Sequence, residues 1–153
     1  MVLQVLNNVN GGDMSKRKTV MVSGGFDPVH VGHLRMFQEA SKLGSLIVVL
    51  NSDDWLKRKK GYSFMSFEDR KEIIEGFECV WKVVSVDDSD DTVVDALHKY
   101  HPDIFANGGD RFPKNTPEAT ICEKLEIESF WGVGGEKIRS SSDLVKESKK
   151  YKN

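Results

Sequence analysis

Gly24-Gly25-Phe26-Asp27-Pro28-Val29-His30-Val31-Gly32-His33 is the stretch on which the reading of this chain turns. It follows a short apolar run, Thr19 to Ser23, that reads as a strand, and it leads into an amphipathic stretch from about Gly32 to Lys42 that reads as a helix. Two glycines at a strand end let the backbone turn tightly and let a ligand approach with no Cβ in the way. Pro28 stiffens the turn. His30 and His33 are three residues apart around the helix start, so they can face the same side, and Gly32 between them leaves room for a phosphate or base against the backbone. A helix N-terminus offers unpaired N–H groups and the positive end of a dipole, which suits an anion. Two imidazoles there add donors that strengthen as charge builds on a phosphoryl group. A glycine turn carrying two surface histidines is the plainer alternative, and the full ten-residue context decides against it.

Working outward, short apolar runs alternate with amphipathic stretches, the pattern of a parallel α/β sheet. Leu46-Ile47-Val48-Val49-Leu50 is a continuous apolar run, as expected of a strand covered on both faces. Ser66 caps a helix whose Ile73, Ile74 and Phe77 share a face. Val83 to Val86 is a third strand, and Thr92 caps a helix carrying Val93, Leu97 and Tyr100 that stops near Pro102. Ile104 to Ala106 is a short fourth strand, Glu118 to Leu125 a weaker helix, and Glu128 to Val133 a fifth strand. The last helix follows Ser140-Ser141-Ser142. The expected fold is a Rossmann-like three-layer sandwich with a parallel five-stranded sheet. Residues 19–153 form its single domain, and residues 1–18 are either an appended flexible arm or an extension ahead of a native start at Met14. Ligands in such folds bind beyond the carboxyl ends of the strands. The loops after strands one and four and the serine run after strand five all fall there.

Bulk properties narrow the class. A chain of 153 residues with 39% hydrophobic and 30% charged content suits one globular domain. The formal net charge of −2 gives no basic field for nucleic acid or an anionic membrane. The two cysteines, Cys79 and Cys122, are too few for a disulfide framework or a four-ligand metal site, and read as small buried hydrophobes. The start lacks the basic and apolar regions of a signal peptide, and no apolar run approaches the roughly 20 residues that span a bilayer. The expected location is the cytoplasm.

The ten-residue stretch resembles the signature of the cytidylyltransferase-like nucleotidyltransferase superfamily, whose core is His-x-Gly-His. The resemblance runs from about Lys18 to Glu147. Asn51-Ser52-Asp53, followed by Lys57 and Lys60-Gly61, looks like that family's second strand and phosphate-binding lysine loop. Glu68-Asp69-Arg70 resembles its Glu-x-Arg helix start, and Ile138-Arg139-Ser140-Ser141-Ser142 its closing serine/threonine signature. The resemblance implies that an acceptor phosphate attacks the α-phosphorus of a nucleoside triphosphate and expels pyrophosphate. Catalysis is then positioning and charge neutralisation, with Mg2+. It gives His30, His33 and Lys57 catalytic roles. Gly24, Gly25, Phe26, Asp27, Gly32, Asn107, Gly109, Asp110, Arg139, Ser140, Ser141 and Ser142 go to the nucleotide. Lys60, Arg70 and Arg111 go to the acceptor, with no residue assigned to a metal. A homodimer is also implied. Arg58 and Lys59 read as solvated charge, His98 and His101 as structural or exposed, and Trp55, Trp81 and Trp131 as packing.

Two branches compete. Cytidylyltransferases that use CTP and glycerol 3-phosphate or a similar polyol phosphate carry an arginine before the serine signature. Here Gly134-Gly135-Glu136-Lys137 stands in its place. Asn107-Gly108-Gly109-Asp110-Arg111 is similar to the Lys-Gly-Gly-Asp-Tyr loop of heptose 1-phosphate adenylyltransferases, which favours ATP and a sugar phosphate, with Asn107 and Arg111 as departures. A non-catalytic nucleotide sensor is the second alternative. An aminoacyl-tRNA synthetase is excluded by length and by the missing lysine-rich loop, and a Rossmann oxidoreductase by the missing Gly-x-Gly-x-x-Gly.

Overall fold

The structure, a computed structural model, describes residues 17–108, 116–134 and 141–149. Five strands, β1 (Thr19–Gly24), β2 (Ser45–Leu50), β3 (Val80–Ser85), β4 (Ile104–Gly108) and β5 (Glu128–Val133), form one sheet in the order β3-β2-β1-β4-β5. Every neighbouring pair is parallel. Parallel neighbours need crossovers, and among the described residues six helices accompany them: α1 (Val31–Ser41), α2 (Asp53–Lys60), α3 (Phe67–Glu75), α4 (Val94–Tyr100), α5 (Pro117–Lys124) and α6 (Ser141–Ser148).

The period-two alternation of the strands sorts their side chains to two faces. Val20, Val22, Leu46, Val48 and Leu50 pack with Phe37 and Ala40 of α1 and Ile74 of α3. Met21, Ile47, Val49 and Phe105 pack against Ala96 and Leu97 of α4 and Cys122 of α5. Every residue of β2 is buried, which is why its sequence is apolar without alternation. Each fully buried aliphatic side chain contributes about 1.5–3 kcal/mol over exposure, so these two layers carry the fold. The expected Rossmann-like three-layer sandwich is what forms.

Three elements differ from the sequence expectations. β3 begins at Val80, because Val80 and Lys82 already pair with Leu46 and Ile47 across a register shift. Thr92 is not the cap of α4. Val93 holds that position with no side-chain bond, while the Thr92 hydroxyl bonds Asp90 and accepts from Val94 N at 3.3 Å. The expected lysine loop is the helix α2. Ser52 accepts from Trp55 N, Asp53 and Asp54 occupy the first turn and Lys57 to Lys60 the last, and Gly61 closes it at φ 85°. Only Leu56 of this helix is buried, so no apolar stripe announced it.

Candidate functional site

The chain leaves β1 for β2 and β3 on one side and returns through β4 and β5 on the other. The order therefore reverses between β1 and β4, whose carboxyl ends are Gly24 and Gly108. In open α/β sheets that crevice is where ligands bind. Gly25 lets α2 approach it: a Cβ there would lie 2.6 Å from Leu56 Cδ2 and 3.3 Å from the Trp55 ring. Phe26 then sits at φ 49°, a left-handed conformation that costs a non-glycine residue about 1–3 kcal/mol. The turn aims its ring inward, 7% exposed, edge-on to Phe37 at 5.0 Å and to His33 at 4.9 Å. Burial of the ring offsets the strain.

His30 and His33 cap α1 reciprocally. His30 is the N-cap residue in extended conformation, and its Nδ1 accepts from Gly32 N at 3.0 Å. His33, at the third helical position, accepts from His30 N through its own Nδ1 at 3.2 Å. This is a capping box built from imidazoles in place of the usual serine and glutamate. The rings stack at 3.8 Å between centroids and 22° between planes. A ring nitrogen that accepts an N–H holds no proton, so each neutral ring carries its hydrogen on Nε2. The His-x-Gly-His spacing follows from this arrangement: the two rings need the cap and third positions, and the amide of Gly32 is one of the donors they satisfy.

A second helix N-terminus meets the first. Ser141, the first residue of α6, donates its hydroxyl to Pro28 O at 2.8 Å, and Ser142 beside it is half-buried. Segments 113 residues apart thus join at the signature turn. Gly109, Asp110, Arg111, Arg139 and Ser140 lie outside the described residues.

Three of the assigned residues have partners within the protein itself. Asp27, assigned to the nucleotide, is 1% exposed, and its two carboxylate oxygens accept the amides of Phe64 and Met65, both at 2.6 Å. It pins the segment between α2 and α3 to the signature turn. Lys60, assigned to the acceptor, donates to Asp27 O at 2.7 Å. Burial pulls its ammonium below the usual lysine range, only partly offset by Asp27, and nearby Arg70 lowers it further. Arg70, also assigned to the acceptor, is 0% exposed. Its Nη1 donates to Gly25 O at 2.7 Å and Asn51 O at 2.9 Å, its Nε to Met65 O at 3.1 Å, and its Nη2 to Asp53 Oδ1 at 2.6 Å. It braces the ends of β1 and β2 against the start of α2. Burial raises the Asp53 carboxyl, but hydrogen bonds from Arg70, Phe67 N and Ser63 outweigh it and hold the group below its ordinary range.

Lys57 is exposed on α2, one residue beyond the Leu56 that abuts Gly25. Arg58 is not merely solvated. It donates to Asp91 Oδ1 at 3.0 Å and to Asp88 O at 2.8 Å. Asp88, a residue with no signal in the sequence pattern, receives Asn51 Nδ2, Ser52 N and the Ser52 hydroxyl. It orients Ser52, the cap of α2, from the segment after β3. Asn107 is 6% exposed, and its Nδ2 has no partner among the described residues. His98 and His101 are exposed. Cys79 and Cys122 are free thiols, both raised above their ordinary range by burial. Among the described residues no group of three or more His, Cys, Asp or Glu could hold a metal ion, and no helix is long and apolar enough to cross a membrane.

The profile of the cytidylyltransferase-like family matches residues 21–150. The chain belongs to that family. Among its relatives are the bifunctional protein HldE of Syntrophotalea carbinolica, 37% identical over 131 residues, and that of Campylobacter concisus, 34% identical over 141. These alignments cover 83% and 90% of this chain but 25% and 28% of the relatives, so the chain spans about a quarter of their length. A solved structure, the lipopolysaccharide core biosynthesis protein from Thermoplasma volcanium GSS1, superimposes with a TM-score of 0.64 at 23% identity, over 75% of this chain and 95% of that one. That likeness is one of fold. As a cytidylyltransferase-like nucleotidyltransferase domain, the chain has its signature histidines, its last helix and its switch point in one place.

Proposed function

We propose that this chain transfers AMP from ATP to the phosphate of a sugar phosphate of the heptose 1-phosphate class and releases pyrophosphate. An acceptor phosphate oxygen attacks the α-phosphorus. The new P–O bond forms in line as the bond to pyrophosphate breaks, and the bonding pair leaves with pyrophosphate. The observation that carries the reading is the hydrogen bond from Ser141 to Pro28 O, which brings two helix N-termini to one turn. Two positive dipole ends and their N–H groups suit a polyanion such as a triphosphate. The HldE relatives and the adenylyltransferase-like Asn107 to Arg111 loop support ATP and a sugar phosphate over CTP and glycerol 3-phosphate.

In this reading His30 and His33 donate from Nε2 to the nucleotide phosphates and hold them as charge moves to the leaving group. Lys57 reaches the α-phosphate from α2. Ser141 and Ser142, with Ser140 and Arg139 before them, take the outgoing phosphates. Gly24, Gly25 and Gly32 let the nucleotide lie against the backbone, Phe26 sets the turn, and Gly109, Asp110 and Arg111, which follow β4 in the sequence, keep the ligand roles that the resemblance implies. Asp27, Lys60 and Arg70 act through the backbone they fix. Mg2+, where bound with the triphosphate, would supply further neutralisation of the phosphate charge. The enzyme is taken to be cytoplasmic and a homodimer, with residues 19–153 as its catalytic domain.

A pyrophosphate-release assay crossing ATP, CTP, GTP and UTP with mannose 1-phosphate, heptose 1-phosphate and glycerol 3-phosphate tests this. Turnover with ATP and a sugar phosphate is expected. Turnover with CTP alone refutes the adenylyl assignment. Tight ATP binding with no turnover across the panel points to a nucleotide sensor.

A further inference from the structure

The last turn of α2 carries four basic residues, Lys57, Arg58, Lys59 and Lys60, and three of them are engaged. Lys60 donates to Asp27 O at 2.7 Å, Arg58 bonds Asp88 O and Asp91 Oδ1, and Lys59 Nζ lies 5.9 Å from the centroid of the Trp55 ring. Lys57 is exposed and has no partner among the described residues. Around a helix, at about 100° per residue, Leu56 stands about −100° from Lys57, Lys60 about −60° and Arg58 about +100°. Lys57 therefore lies between two anchored flanks. Leu56 and Lys60 hold one against the signature turn, and Arg58 holds the other to the segment after β3.

One residue secures both ends of this helix. Asp88 is 4% exposed, and its carboxylate accepts Ser52 N at 2.8 Å, the Ser52 hydroxyl at 2.7 Å and Asn51 Nδ2 at 3.1 Å. Its carbonyl accepts Arg58 Nη2 at 2.8 Å, about 9 Å further along the helix axis. The same carbonyl accepts Asp91 N at 2.9 Å, which closes a turn with Asp91 at φ 64° and brings its carboxylate to Arg58 Nε at 3.0 Å. Only Leu56 of α2 is buried, so polar ties and not an apolar face determine where this short helix lies.

We infer that Arg58 and Asp88 are positioning residues: they clamp α2 at its two ends and so fix the direction from which Lys57 meets the nucleotide. The inference rests on the reading above in which Lys57 reaches a phosphate of ATP. A group misplaced by about 1 Å can cost on the order of a hundredfold in rate, so a helix with one buried anchor holds a cation in register only when tied on both flanks. With the Arg58 ties cut, α2 pivots on Leu56 and Lys60, and Lys57 moves with it. The Arg58 and Asp91 side chains are 42% and 67% exposed, so loss of their pair shows in the position of α2 far more than in global stability. Asp91 separates the clamp from simple electrostatics. Removing a carboxylate strengthens the binding of a triphosphate if charge alone matters, and weakens it if the carboxylate works by holding Arg58.

Calorimetric titration of the whole chain with ATP, without acceptor, tests this on wild type, Lys57→Met, Arg58→Met, the double variant and Asp91→Gly. Glycine accepts a φ of 64°, so Asp91→Gly removes the carboxylate without straining the turn. Each variant is expected to melt within about 3 °C of wild type. Amide hydrogen exchange in α2 quickens in Arg58→Met and Asp91→Gly. ATP binds about tenfold more weakly to Lys57→Met, about fivefold to Arg58→Met and about threefold to Asp91→Gly, and the double variant stays within about twofold of Lys57→Met alone. A double variant about fiftyfold weaker than wild type, the product of two independent losses, overturns the clamp. So does wild-type affinity in Lys57→Met or Arg58→Met, or tighter binding in Asp91→Gly. Wild type that binds no ATP defeats the nucleotide reading, and the clamp falls with it. Wild type that binds ATP yet releases no pyrophosphate with any acceptor defeats the catalytic reading alone, and the cycle still decides the clamp.

Discussion

Replacing Arg70 by methionine removes four hydrogen bonds and keeps most of the volume. The acceptors left behind are unequal. Asn51 O is buried, Gly25 O and Met65 O are partly buried, and the Asp53 side chain is 37% exposed and can take water. Removing one partner of a buried ion pair costs about 3–5 kcal/mol, and the partial rehydration of Asp53 places this case near 3–4 kcal/mol. A domain of this length loses about 2–4 °C of Tm per kcal/mol, so Arg70→Met melts about 10 °C below wild type. Arg70→Lys, with three donors on one nitrogen and no planar fork, cannot span acceptors on three segments, and about half of that loss is expected. Thermal unfolding by circular dichroism, read beside the KM of the acceptor in the pyrophosphate assay, separates the two roles. A methionine variant that melts within about 2 °C of wild type but raises the acceptor KM tenfold refutes the brace and returns Arg70 to the ligand.

Other consequences are as concrete. Asparagine is a strong N-cap residue, so His30→Asn keeps the unfolding free energy within about 0.5 kcal/mol of wild type while kcat falls about a hundredfold or more for want of the Nε2 donor; a loss of stability large enough to account for the fall in kcat would mean the ring is only a cap. Gly25→Ala places a Cβ 2.6 Å from Leu56 Cδ2, a buried neighbour, and is expected to cost about 1–3 kcal/mol in urea unfolding and to weaken turnover as α2 shifts, whereas wild-type values in both would show that α2 is not seated on that glycine. Asp53 has a folded-state pKa below its ordinary 3.8, so its ionised form stabilises the fold above that value and the contribution disappears as pH falls through the lowered folded value. Acid unfolding of wild type between about pH 5 and 2 is therefore steeper than that of Asp53→Asn, and parallel curves would remove Asp53 from the brace.

The sheet was legible because β1 and β2 are buried on both sides and write themselves as apolar runs. The signature was legible because its glycines, proline and histidines each have one local job. What escaped were elements fixed by distant partners. α2 shows only Leu56 to the core, so hydrophobic periodicity could not find it, although Ser52 and Gly61 mark its ends. Asp88 looks like any acid in the run Asp87-Asp88-Ser89-Asp90-Asp91, and only the fold brings it to Asn51 and Ser52. Asp27 and Arg70 were singled out as important, but burial, which converts a charged side chain from ligand to strut, is not written in the residue itself.

The imidazole capping box also limits the kinds of reaction open to this turn. Each ring gives its Nδ1 lone pair to a backbone N–H, and a neutral imidazole bonded in that way offers a donor, not a base, at its other nitrogen. A turn with donors and no base cannot activate an alcohol. The molecule it modifies must arrive already ionised, with the attacking oxygen charged before it enters. Phosphates meet that requirement at neutral pH and free sugars do not, so under the proposed function the turn capped by His30 would select an acceptor by its charge before its shape.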